Sequence, residues 1–216
     1  MKPILYGYEY SVYCRIVLAV CHEKGVPVDW VEVNPFTEPV GYREHHPFNR
    51  VPALQHDDFA LYETTAICRY IDDVFPGRSL QPNTLQPTDL RQRARMAQII
   101  AVVDAYVYWP LVRQVFSHRV FGPRMGEPVD EAEIQAGLAA AKPILAALEG
   151  LASGEAYIVG SQITLADFHL GAMIDYFVAA GEGARMLQDY PKLSEWWSGL
   201  KGRDSMIDTN PLKNPG

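Results

Sequence analysis

Ser11 and Cys14 stand three positions apart where a tyrosine-rich stretch, YGYEYSVYCRIVLAV (residues 6–20), turns into a run of helical character. The first turn of a helix carries unpaired N–H groups and the positive end of the dipole, so it stabilises a thiolate, whether a cysteine or a ligand supplies it. Ser11 has two readings, a structural cap for the helix or a hydroxyl that donates a hydrogen bond to a bound sulfur. No Ser-His-Asp pattern nearby would make it a nucleophile itself. Cys14 lies one turn inside, where packing in the core is at least as consistent as chemistry. A dithiol redox pair would need cysteine at position 11, which argues against disulfide reduction by that route.

Two further stretches are informative. In RVPAL (residues 50–54) Pro52 precedes an apolar strand and denies it one ladder donor. It is either an ordinary trans proline at a strand start or a cis Val51–Pro52 bond that turns the Val51 backbone outward for an extended ligand. In YETTAI (residues 62–67) Thr64 and Thr65 can cap the next helix. Glu63, ahead of that helix, either supports it as an anion or receives a ligand ammonium group.

These residues need elements to hold them. ILYGY (4–8) reads as a strand, VYCRIVLAVCHEKG (12–25) as a helix stopped by Gly25, and VDWVEV (28–33) as an alternating second strand. Strand, crossover helix and strand make the right-handed unit of a parallel sheet. The polar excursion 34–49 reads as surface, and VPAL (51–54) and FALY (59–62) as a hairpin turning at His56, Asp57 and Asp58. A helix over 63–76, ended by Pro76 and Gly77, completes a first domain of mixed sheet and helices, residues 1–76. Residues 77–87 read as a linker, 88–205 as an all-helical bundle and 206–216 as a loosely held tail. In the bundle, Pro110 either kinks or divides a long helix, and Asp130 with Glu133 suggests a capping box.

Composition narrows the function classes. Of 216 residues, 48% are apolar and 21% charged, an ordinary globular balance, and the net charge of -7 argues against a dedicated nucleic-acid surface. Pro3 and the tyrosine turn interrupt any secretory signal, and no uninterrupted apolar run approaches membrane-spanning length, so the expectation is a cytoplasmic protein without a membrane segment. Three cysteines without a pairing motif fit reduced thiols. His45 and His46 are adjacent, lack ligand spacing, and predict no metal.

Taken in order, the motifs resemble the glutathione transferase family. YGYEYSVYCRIVLAV is similar to its first strand and helix, PFNRVPAL to its NPFGxVPAL region and LYETTAICRYI to its LxESxAIxxYL region. GSQITLADFHLGAMI (160–174) and DYPKLSEWWSGLKGRDS (189–205) are similar to its helical-domain segments, so the resemblance spans nearly the whole chain. It implies an α/β thioredoxin-like N-terminal domain followed by an all-α C-terminal bundle, with glutathione as co-substrate. Ser11 matches the serine of the serine-type members and would donate to the glutathione thiolate. Tyr10 and Tyr13 stand beside it as alternatives. Val51, with cis-Pro52, would pair its backbone with the cysteinyl portion, and Glu63 and Thr64 would hold the γ-glutamyl end. Arg50, Arg43, His45 and His46 could approach the glycine carboxylate. His46 and Asn49 stand where many relatives have Asn and Gly.

The expected chemistry is attack of the thiolate on a small hydrophobic electrophile, with a glutathione-dependent peroxidase or dehalogenase, or a non-catalytic binding protein of the same fold, as alternatives. Tyr10, Tyr13, Tyr106, Trp109 and Arg113 are the expected walls for the second substrate, and Phe116 continues that helical stripe. An aromatic stripe of this kind also reads as bundle core. LRQRARMAQ reads by default as a solvated basic face, and the resemblance, which implies a homodimer, offers the alternative that Arg91 and Arg95 face the first domain of the mate near Asp72 and Asp73. Thr164 and Asp167 form an architectural capping box.

Overall fold

The computed structural model describes residues 1–37, 39–76 and 84–213. They divide into two compact units, Met1–Leu85 with Asp204–Gly216, and Gln86–Arg203.

The first unit is a four-stranded sheet in the order β2-β1-β3-β4. Strand β1 (Ile4–Gly7) pairs in parallel with β2 (Asp29–Glu32), joined by helix α1 (Val12–Lys24). Strands β3 (Ala53–His56) and β4 (Phe59–Tyr62) form the expected hairpin, with His56 opposite Phe59, and β3 runs antiparallel to β1. Gly25 ends α1 with φ 68, the left-handed conformation that glycine adopts without a Cβ penalty, and its N–H reaches the carbonyls of Cys21 and His22.

Helix α2 (Thr64–Val74) differs from expectation at its start. Thr64 is its first helical residue and not its cap. The cap position belongs to Glu63, which has φ 74 and makes no side-chain capping bond. Asp72 on α2 is fully buried and ion-paired with Lys24 at 2.8 Å, and it accepts the Leu85 amide and the Thr84 hydroxyl, also at 2.8 Å each. Asp72 therefore holds α1, α2 and residues 84–85 together and offers nothing to a mate, which corrects its expected dimer role. Asp73 is exposed. The expected linker, 77–87, falls largely on residues 77–83, outside those described.

Residues after 203 return to this unit, in contrast to a tail from 206 onward. Helix α9 (Asp204–Ile207) packs on α1, where buried Arg15 donates to the Met206 carbonyl at 3.0 Å and Ser205 Oγ to Glu23 at 2.8 Å. The remaining tail residues include no long apolar pattern, so sequence periodicity could not reveal contacts made by single polar groups.

The second unit is all-helical. Asp89 caps α3 (Leu90–Val102), which runs on as a wider π-type segment, Val103–Phe121, and then α4 (Gly122–Arg124). The rod is unbroken. Pro110, which lacks the donor an α-helix needs, sits inside the wider turns and does not divide the helix. Helix α5 (Glu131–Leu151) packs closely on it: a Cβ at Gly137 would lie 2.8 Å from the Pro110 carbonyl oxygen. Asp130 caps α5, accepting the Ala132 and Glu133 amides, but Glu133 does not complete a box and instead accepts Gln114 at 3.0 Å. Helix α6 (Leu165–Ala179) is buried on nearly all sides, as the core helix of a bundle. Its reciprocal Thr164–Asp167 box forms as expected. Asp167, fully buried, also accepts the Ile158 amide and Trp196 Nε1, each at 2.8 Å. Two short helices close the unit, α7 (Gly181–Leu187) and α8 (Pro191–Leu200). The first, built on GEGARML with two glycines, has too little periodicity to be legible in sequence.

The helical rod Leu90–Arg124 and α5 are long and apolar enough to cross a membrane by length and composition. The core helices of a bundle meet the same criterion.

Candidate active site

Register decides what meets at one end of the sheet. Tyr6 on β1 stands opposite Ala53 at the start of β3, Ala53 opposite Tyr62 at the end of β4, and Gly7 beside Glu32 at the end of β2. The turn carrying Tyr10 and Ser11, the Val51–Pro52 peptide and Glu63 therefore emerge at the same edge. The Val51–Pro52 bond is cis.

Ser11 is the N-cap of α1, with φ -72 and ψ 119, and its Oγ accepts the Cys14 amide at 3.3 Å. One lone pair is used in that way, and the hydroxyl proton remains for a second partner. Ser11 N donates to the Tyr8 carbonyl at 2.9 Å, which closes the turn. Cys14 is 0% exposed, and burial, opposed by the Ser11 hydrogen bond, pushes its thiol up to about 12. A thiol that stays protonated near neutrality is packing and not a nucleophile. Cys21 is likewise pushed up to about 12 by burial, and Cys68 is buried too.

The loop from 42 to 50 is held by two devices that sequence reasoning did not single out. Buried Tyr42 donates its hydroxyl to the Arg50 carbonyl at 2.8 Å, fixing the chain just before Val51. Burial is the main reason its phenol is raised well above the usual range. Asn49 has φ 52, the left-handed conformation that favours glycine and that Asn tolerates better than most residues. It also donates to the Pro35 carbonyl at 3.0 Å. The one tyrosine of YREHH and the position of Asn49 against a family glycine are the sequence signals of this.

His46 is 2% exposed, enclosed by the rings of Phe48 and Tyr62. Burial lowers its pKa, with Glu63 acting in the opposite sense. His45 stacks on Tyr6 at 4.1 Å between ring centroids. Arg43, Arg50 and Glu63 are exposed, Val51 half-buried and Thr64 buried. Glu63 holds a backbone conformation that L-residues rarely adopt, at a cost of about 1–3 kcal/mol, and such outliers cluster at binding sites.

Tyr10 and Tyr13 are half-buried, Tyr10 meeting Tyr8 edge-on at 5.7 Å. In the second unit Tyr106, Trp109 and Arg113 lie exposed on the π-type segment. Phe116 does not join them. It is 3% exposed and packs on Tyr176 at 4.4 Å, so it belongs to the bundle core. Among the described residues, no group of three or more His, Cys, Asp or Glu could hold a metal ion.

Two family profiles match the chain: "Glutathione S-transferase, N-terminal domain" over residues 5–79 and "Glutathione S-transferase, C-terminal domain" over 108–204. Glutathione S-transferase F13 of Arabidopsis thaliana is 29% identical over 214 residues, covering 98% of this chain and 96% of its own. A solved glutathione S-transferase-I bound with lactoylglutathione has TM-score 0.83 and 25% identity, with 97% and 98% of the chains covered. Glutathione transferase F2 of Populus trichocarpa has TM-score 0.84 at 24% identity, covering 99% of this chain and 100% of that one, and supports the fold. The chain belongs to the glutathione S-transferase family, with a thioredoxin-like N-terminal domain and a helical C-terminal domain.

Proposed function

We propose that the protein activates glutathione through Ser11 for attack on a small hydrophobic electrophile. The observation that carries this reading is the convergence at one sheet edge of a hydroxyl with an unspent proton, a helix N-terminus, the cis Val51–Pro52 peptide and Glu63. The hydroxyl and the positive end of α1 together lower the pKa of a bound thiol. The proton leaves to solvent, the thiolate attacks the electrophilic carbon and a carbon–sulfur bond forms; the halide of an aryl halide departs with its bonding pair, whereas in an epoxide or an isothiocyanate the displaced pair stays on oxygen or nitrogen and takes up a proton. The protein supplies orientation and a stabilised nucleophile.

Val51 would meet the cysteinyl backbone, Glu63 the ligand ammonium, Thr64 at the start of α2 the γ-glutamyl carboxylate, and Arg50 with Arg43 the glycine carboxylate. Pro52 shapes the chain beside Val51. His46 is left out of the proposed contacts because its ring packs between Phe48 and Tyr62. Tyr10, Tyr13, Tyr106, Trp109 and Arg113 remain the proposed walls for the electrophile. The proposal includes a homodimer, favoured by the family resemblance. It also includes residence in the cytoplasm, in keeping with three buried free cysteines. Retention on immobilised glutathione and turnover of aryl halides, epoxides and isothiocyanates test the reading together. Failure of both would contradict it.

A further inference from the structure

The turn that carries Ser11 has no regular secondary structure of its own, yet it must hold one hydroxyl to within fractions of an ångström. Its fixings come from the end of β2. Val33 donates its amide to the Gly7 carbonyl at 2.6 Å, and the Trp30 ring lies so close over Gly7 that a Cβ there would approach Cη2 to 2.4 Å. Glu32 then spans the gap. One carboxylate oxygen, Oε1, accepts the Glu9 amide at 3.1 Å, and the other, Oε2, accepts Trp30 Nε1 at 2.8 Å. The chain of contacts runs from Trp30 through Glu32 to Glu9, and then through the Tyr8 carbonyl to Ser11 N.

The charge of Glu32 is of the wrong sign for its location. An anion beside the turn raises the pKa of a thiol there, as it does for Cys14, and works against thiolate formation at Ser11. A carboxylate that opposes the chemistry electrostatically while bridging two donors has a geometric role.

We infer that Glu32, braced by Trp30, is a positioning residue that fixes the Tyr8–Ser11 turn so that the Ser11 hydroxyl stays aimed at the glutathione sulfur. The inference rests on the Ser11 reading above. Electrostatics and positioning move the bound thiol in opposite directions, which separates them. Loss of the charge alone lowers the thiol pKa. Loss of the brace raises it, because the hydroxyl donates for less of the time.

The test uses Glu32→Gln, Trp30→Phe, the double variant and Ser11→Ala, each assayed for turnover, for the pKa of bound glutathione and for amide hydrogen exchange of residues 8–11 in the ligand-free protein. Trp30→Phe removes the Nε1 donor, together with part of the ring that lies over Gly7, without changing charge. It is expected to raise the thiol pKa and to lower kcat/KM by about 3- to 10-fold, the worth of one hydrogen bond. Glu32→Gln is expected to move both in the same direction, and the double variant to add little to either single change. Faster exchange at residues 8–11 in both variants supports the brace however Ser11→Ala behaves. An unchanged Trp30→Phe, or a Glu32→Gln protein with a lowered thiol pKa and native exchange, overturns it. If Ser11→Ala keeps the native thiol pKa, the Ser11 reading fails, and the brace is judged by exchange alone.

Discussion

The Cys14 amide donates to Ser11 Oγ at 3.3 Å while the Cys14 thiol lies wholly buried behind it. One turn of helix thus separates two roles that the sequence leaves open: the hydroxyl is presented at the helix end and the thiol is spent on packing. A thiol held near 12 is almost entirely protonated at neutral pH. Native protein treated with iodoacetamide at neutral pH should carry no label on Cys14 or Cys21, and both should label on unfolding, as read by peptide mass spectrometry. Native labelling of Cys14 would contradict its assignment to the core.

Lys24 and Asp72 form an ion pair with side chains 2% and 0% exposed. Removing one partner of such a pair leaves a buried charge without compensation, at about 3–5 kcal/mol. Lys24→Met should lower the free energy of unfolding by that order in urea titration. The double change Lys24→Met with Asp72→Leu should recover part of it.

Asp167 gathers four donors: the Ile158 and Thr164 amides, Thr164 Oγ1 and Trp196 Nε1. Burial raises its carboxyl while these donors pull it down. Asp167→Ala would strand all four in the core, so a loss of about 2–4 kcal/mol is expected, with Asp167→Asn less damaging because one acceptor oxygen remains. Denaturant midpoints of the two variants check the order.

His46 gives a prediction with a definite sign. Burial lowers its folded-state pKa below the unfolded value, so the unfolded chain binds the proton more readily. The stabilising contribution is full above about pH 6.5, the unfolded value, and is lost as the pH falls through the lowered folded value. Glu63 moderates the shift. Thermal midpoints measured from neutral to mildly acidic pH should fall less steeply in His46→Gln than in the parent protein.

How much of this was legible in the sequence follows from the kind of signal each part leaves. The strands and α1 were readable because alternation and helical spacing are local, and Gly25 marks a stop by its own conformational freedom. The Asp130 cap was readable and its box was not, because Glu133 chose Gln114 on another helix. Pro110 announced a break that wider turns absorbed. Ser11 stood out by type and place. Tyr42 and Glu32 did not, since their work depends on single hydrogen bonds to distant backbone atoms, across 8 and 23 residues. His46 was expected near the ligand through the family resemblance alone, and its burial leaves no trace in the sequence.

The most direct test of the central claim is the titration of the glutathione thiol in the saturated complex, followed by thiolate absorbance in the parent protein and in Ser11→Ala. Loss of one hydrogen bond to a charged acceptor, about 1.5–3 kcal/mol, should raise the bound thiol pKa by about one to two pH units while glutathione affinity changes little. Identical titration curves for the two proteins would contradict the assignment of Ser11 as the residue that stabilises the thiolate.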